Sequence, residues 1–169
     1  KNIRFSVEFE KFNPDRSILE DELRLKQVFM NILSNAVKFT PENGSVVLSF
    51  ETVSANDKTE RVKIQFRDTG IGMSRKFIQN SLFTPYSQEL NRDTERSSGS
   101  GLGLSMSKNI IELMNGSIDV QSTPGEGTVF TVCLDFTFAD EVQEKKTALE
   151  SDGGHSGALN ERIKGARVL

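Results

Sequence analysis

Residues 31–40 read Asn31-Ile32-Leu33-Ser34-Asn35-Ala36-Val37-Lys38-Phe39-Thr40, with Pro41 and Gly44 close behind. Ile32, Leu33, Ala36 and Val37 continue an apolar spacing that begins at Leu25, Val28 and Phe29. This spacing predicts a helix from about Asp21 to near Thr40, stopped by the proline and glycine. Positions four apart share a helix face, so Asn31 and Asn35 project together beside the apolar stripe and Lys38 reaches the same space. A solvated polar face is one reading. Asparagine is a poor helix former, however, and two of them flanking a buried stripe ask for a chemical reason. Hard Mg2+ prefers oxygen ligands and keeps waters and phosphates around it, which suits one amide oxygen beside a phosphate-reaching lysine.

Outward from this helix the pattern is of strands. Ile3, Phe5, Val7 and Phe9 alternate with polar residues as in a half-buried strand, which Asn13-Pro14-Asp15 breaks. Downstream, Val46, Leu48 and Phe50 predict a second strand, residues 54–60 a turn, and residues 61–68 a third strand ending at Asp68-Thr69-Gly70. The stretch from Ser74 to Gly101 is less regular, with short apolar pieces at Phe77, Ile78, Leu82, Phe83 and Tyr86. Ser87 to Ser100 is a polar loop whose one core-facing candidate is Leu90, long enough to be functional or mobile. Helical spacing returns from Leu102 to Met114, closed by Asn115-Gly116. A hairpin follows, with Ile118 and Val120 on one arm, a turn at residues 124–127, and Phe130, Val132, Leu134 and Phe136 on the other. The order β-α-β-β, irregular, α-β-β fits helices on one face of a mixed sheet.

The 169 residues predict one domain, or one plus a tail. Residues 1–138 form the domain, and the charged, small-residue-rich stretch 139–169 reads as a linker or tail. A formal net charge of −3 argues against general nucleic-acid binding, which needs a basic stripe. One cysteine makes no internal disulfide and no Cys-based metal cage, and points to a reducing compartment. That Cys133 is expected as a small core residue. No apolar run approaches the roughly 20 residues that span a bilayer, and no signal peptide opens the chain. A chain that begins at Lys1 reads as a piece of something longer.

Two further clusters could carry chemistry. In Asp68-Thr69-Gly70-Ile71-Gly72 a strand-end carboxylate can accept a hydrogen bond from an exocyclic amino group such as adenine's, and the glycines let backbone pass close to a flat ring. A turn whose Asp bonds its own backbone is the alternative. Gly99-Ser100-Gly101-Leu102-Gly103-Leu104 leads into the second long helix, where free N–H groups and the helix dipole favour phosphate; a flexible hinge is the alternative. It is neither a P-loop, lacking Gly-Lys-Ser/Thr, nor a dinucleotide fingerprint, since Met106 stands where the last glycine belongs.

Together these segments resemble the motifs of sensor histidine kinases, in the family's order. Asn31 to Thr40 looks like the N box, Asp68 to Met73 the G1 box, Leu82-Phe83-Thr84-Pro85-Tyr86 the F box, and Gly99 to Ser105 the G2 box. Gly125-Glu126-Gly127-Thr128-Val129-Phe130 resembles the closing glycine motif. The resemblance covers about Ile3 to Phe136. It implies the Bergerat fold, an α+β two-layer sandwich with a mixed, mostly antiparallel sheet of about five strands covered on one face by about three helices. It implies ATP and Mg2+ as cofactors, with Asn35 as metal ligand, Asn31 beside it near the phosphates, Lys38 on phosphate oxygens and Phe39 near the nucleotide. Asn31, Asn35 and Lys38 are thereby the catalytic candidates. Asp68 would read the adenine amino group, with Gly70, Ile71, Gly72 and Thr128 around the ring. Gly101, Leu102, Gly103 and Leu104 would face the phosphates. Phe83 and Gly99 join the nucleotide-binding positions through the F and G2 boxes, and residues 87–100 would be the ATP lid.

Related ATPases that hydrolyse ATP resemble one another in a glutamate one helical turn before the metal asparagine. Asn31 stands there and cannot act as a base, which favours phosphoryl transfer to a protein. The family's acceptor is a histidine on a separate dimerisation hairpin domain. His155, inside the tail segment, does not resemble it. Phe83 and Tyr86 read either as a patch that docks this hairpin or as core. Ile163 to Leu169 resembles the approach to a receiver domain, which would make the parent a hybrid kinase; a plain C-terminal tail is the alternative. The expected location is cytoplasmic, without membrane contact in this piece, although the parent could be anchored in the inner membrane. A stand-alone serine kinase of the anti-sigma type and a non-catalytic partner-binding module are the competing readings. The full F box and the filled nucleotide positions argue against them.

Overall fold

The computed structural model describes residues 1–56, 59–89 and 100–138. The tail with His155, the receiver-like segment, Leu90 and Gly99 lie outside the described residues. The elements are β1 (Arg4–Glu10), α1 (Glu22–Phe39), β2 (Ser45–Ala55), β3 (Thr59–Asp68), α2 (Arg75–Asn80), α3 (Gly103–Leu113), β4 (Ser117–Thr123) and β5 (Gly127–Thr137). The five strands form one sheet in the order β1-β2-β3-β5-β4. β1 runs parallel to β2, and the remaining pairs are antiparallel. With its three helices this is the α+β two-layer arrangement expected from the sequence.

α1 begins where the Asp21 carboxylate accepts the Arg24 N–H at 3.1 Å and ends at Thr40, ahead of Pro41. Its apolar stripe buries Val28, Ile32 and Ala36. Phe29 meets Phe66 of β3 edge-on, with ring centroids 5.2 Å apart, and stacks on Phe50 of β2 at 6.0 Å. The opposing sheet face contributes Leu48, Val62, Ile64, Phe66, Phe130, Val132, Leu134 and Phe136, which alternate with outward residues as the pleat requires.

The first strand differs from the half-buried expectation. Phe5, Val7 and Phe9 stand in register with Val46, Leu48 and Phe50 and so face the helix side. They are nevertheless 55%, 43% and 49% exposed. α1 rests over β2 and β3, leaving the edge strand uncovered except where Phe9 stacks with Phe12 and Phe50. The turn expected over residues 54–60 is shorter, because β2 runs to Ala55 and β3 starts at Thr59. The irregular stretch holds α2, whose N-cap Ser74 accepts the Phe77 N–H at 3.2 Å. Cys133 is half-buried and not part of the core: pleat alternation places it with outward Thr131 and Asp135.

The amino end is tied down. Lys1 Nζ donates to the carbonyls of Lys38 (2.6 Å) and Thr40 (2.9 Å), and the Asn43 N–H to the Asn2 carbonyl (2.8 Å). No described helix is long and apolar enough to cross a membrane.

Phe66→Ala should lower the unfolding free energy by about 3–5 kcal/mol in urea titration, through the cavity it leaves under Phe29. Phe5→Ser, on the uncovered edge, should stay within about 0.5 kcal/mol.

Candidate functional site

A cavity of about 410 Å3 opens between α1, the end of β3, the start of β5 and the first turn of α3. Asn31, Asn35, Lys38 and Phe39 line it from α1, and Asp68, Ile71 and Gly72 from the β3 end. Gly101, Gly103 and Leu104 close it from the glycine-rich turn, and Thr128 from β5. Segments separated by up to ninety-odd residues along the chain thus share one cleft.

Asp68 is 9% exposed and stands opposite Thr128 in the β3–β5 register. Its Oδ1 accepts the Gly70 N–H at 2.8 Å, and the Thr128 N–H also donates to the carboxylate. Burial pushes its pKa above the ordinary 3.8, and the two N–H groups only partly oppose that rise. Around it the polar groups interlock. Ser122 Oγ accepts the Met73 N–H at 2.9 Å, donates to the Gly127 carbonyl at 2.8 Å and lies 2.9 Å from Thr128 Oγ1. With the Ser122 proton used on Gly127, the Thr128 hydroxyl donates to Ser122 and keeps acceptor capacity of its own.

Two glycines of the cavity wall are required by the backbone. Gly72 has φ +65°, and a Cβ there would sit 2.0 Å from the Thr123 carbonyl oxygen. Gly101 has φ +69°, and a Cβ would meet Tyr86 backbone at 2.7 Å, where the Tyr86 N–H donates to the Gly101 carbonyl at 3.0 Å. On the α1 side, Lys38 Nζ lies 4.9 Å from the Phe39 ring centroid. Asn31 Nδ2 donates to the Gly103 carbonyl and to Ser107 Oγ, each at 3.2 Å. No group of three His, Cys, Asp or Glu side chains that could cage a metal occurs among the described residues. On the α1 wall the amides of Asn31 and Asn35 carry oxygen donors, a kind of ligand that suits Mg2+ retaining waters and phosphate ligands.

The remaining sequence candidates stand apart from the cavity wall. Gly70 lies just behind it, bonded to Asp68, and Leu102 is the N-cap residue of α3. Phe83 packs against the core with Lys108 Nζ 5.2 Å from its ring, whereas Tyr86 is 75% exposed, so the two aromatics separate. The wall also contains Met73, Phe77, Leu82 and Phe130, which supply its apolar part, and Gln88 and Glu89 at the start of the polar loop. Phe130 shares the strand face of Thr128 two residues on, so alternation carried its signal. Glu89, whose carboxylate accepts the Ser74 N–H at 3.2 Å, had none.

The elevated Asp68 pKa fixes a sign. The folded state holds this proton more tightly than the unfolded chain, so the contribution of Asp68 to stability is fullest below pH 3.8 and falls as pH rises through the folded value. Urea unfolding across pH should show wild type losing stability relative to Asp68→Asn as pH rises above 4, and Asp68→Asn should be at least as stable at pH 7.

Residues 20–137 match the model of the histidine kinase-, DNA gyrase B- and HSP90-like ATPases. The sensor histidine kinase GacS of Pseudomonas protegens is 42% identical over 118 residues, 70% of this chain but 13% of that protein. The chain therefore spans a small part of the relatives it matches. Among solved structures, full-length ShkA in complex with AMPPNP superposes with a TM-score of 0.63 at 30% identity, over 81% of this chain and 26% of ShkA. The catalytic domain of the histidine kinase ThkA gives 0.61 at 27% identity, over 79% and 80% of the two chains. The chain belongs to the histidine kinase-, DNA gyrase B- and HSP90-like ATPase family, with the sensor histidine kinases as its relatives.

Proposed function

We propose that residues 1–138 bind Mg-ATP and donate its γ-phosphate to a histidine on a separate dimerisation and phosphoacceptor hairpin domain. The observation that carries this reading is the single cleft shared by Asn35, Asp68 and Gly101. In it Asp68 accepts a hydrogen bond from the adenine amino group, while Ile71, Gly72 and Thr128 flank the ring. Asn35 holds Mg2+, Lys38 meets phosphate oxygens, and the N–H groups opening α3 face the phosphates. Bound Mg2+ supplies neutralisation of phosphate charge. The protein supplies positioning, and the incoming histidine provides the nucleophile. Support comes from the AMPPNP complex of the similar ShkA and from the lack of a base at Asn31. On the same reading the domain works in the cytoplasm in two-component signalling, with a receiver domain, in cis or on a response regulator, as the later phosphate acceptor.

Incubation with labelled ATP and the purified hairpin domain should place label on the hairpin histidine; an unlabelled hairpin overturns the transfer. Asp68→Asn sets an N–H against the adenine amino group and should weaken ATP binding about tenfold or more in calorimetry, with circular dichroism unchanged. Asn35→Ala should weaken Mg-ATP far more than Mg-free ATP. Equal losses in the two titrations would remove the metal role.

A further inference from the structure

Asn31 has its carboxamide nitrogen engaged twice by another helix. Its Nδ2 lies 3.2 Å from the Gly103 carbonyl and 3.2 Å from Ser107 Oγ, both on α3. A carbonyl oxygen only accepts, so chemistry itself requires nitrogen, not oxygen, to face Gly103. An amide nitrogen has two protons, and here each has a partner. Ser107 is fully buried, and Asn31 is part of the cavity wall. A hydroxyl buried there keeps the second N–H from turning elsewhere, since rotation would strand a buried donor.

We infer that Ser107 is a positioning residue. With Gly103 it holds both N–H groups of Asn31 on α3, leaving Oδ1 as the only atom of that side chain able to meet a ligand. This rests on the nucleotide reading and deepens it. An oxygen acceptor repels phosphate oxygens and attracts a cation or the protons of its bound water. Asn31 would thus offer its oxygen to a cation or to the cation's bound water, as a partner of Asn35, and would donate no hydrogen bond to phosphate. The same two bonds hold the first turn of α3, with its phosphate-facing N–H groups, against α1 before any ligand arrives.

The test uses the 15N-labelled chain without nucleotide, with the Asn31 side-chain signals assigned by their loss in Asn31→Asp. Both carboxamide protons should exchange with solvent slowly in wild type, and one should lose that protection in Ser107→Ala. In titrations, Ser107→Ala should weaken Mg-ATP roughly three- to tenfold, the worth of one hydrogen bond. Mg-free ATP should change less than twofold, and Ser107→Thr, which keeps the hydroxyl, should restore the Mg-ATP value. Rapid exchange of both protons in wild type, or protection of both in Ser107→Ala, overturns the assignment, as does an equal loss with and without Mg2+. If Ser107→Ala does not fold, Ser107→Cys, close to serine in size and a weak acceptor, takes its place with the same criteria. Failure of wild type to bind ATP would instead strike the nucleotide reading, because the exchange measurement involves no ligand.

Discussion

The rotational setting of α1 about its own axis governs the rest of the molecule. Burying Val28, Ile32 and Ala36 against the sheet leaves no freedom in that setting, because each residue turns the helix by about 100°. Phe29 then falls toward β2 and β3, where it meets Phe50 and Phe66. Asn31 falls on the other flank, against Gly103 and Ser107 of α3. The apolar stripe that satisfies the hydrophobic effect therefore also aims the amides. A change in the stripe that rolled the helix would move Asn31 off its carbonyl partner without touching any polar residue.

The opposite wall of the cleft is held by a different force. Asp68 ends a central strand opposite Thr128 of β5 and is 9% exposed, at the wall of the cleft. That burial opposes ionisation, and the N–H groups of Gly70 and Thr128 offset only part of the penalty. A residue chosen for stability alone would not be a carboxylate. Its place in the wall of the cleft, and not its contribution to stability, is what sets this carboxylate apart from its neighbours on β3.

Most of this was legible in the chain because it rests on local periodicity. The α1 stripe, the alternation of β3 and β5, and the glycines around Asp68 each announce themselves within a dozen residues. Residues that depend on tertiary company did not. Phe5, Val7 and Phe9 alternate like a half-buried strand, yet their exposure is decided by where α1 lies, which no pattern inside the strand encodes. Cys133 looked like core for the same reason, since one residue of alternation separates the two faces. Ser107 carried no signal at all: a serine within a helix is ordinary until Asn31, seventy-six positions earlier, is placed beside it. Phe83 and Tyr86 read as one aromatic unit and separate only once the chain turns between them at Tyr86, which has φ 64°.

The anchoring of Lys1 has a mechanical side. Its ammonium grips the carbonyls of Lys38 and Thr40, at the end of the helix whose final turn lines the cleft. β1, which starts three residues later, is an edge strand held on one side only. The amino end is thus joined to the turn bearing Lys38 and Phe39 directly, by side chain to backbone, as well as through the sheet. The domain has a handle, and it is attached beside the lysine that lines the cleft.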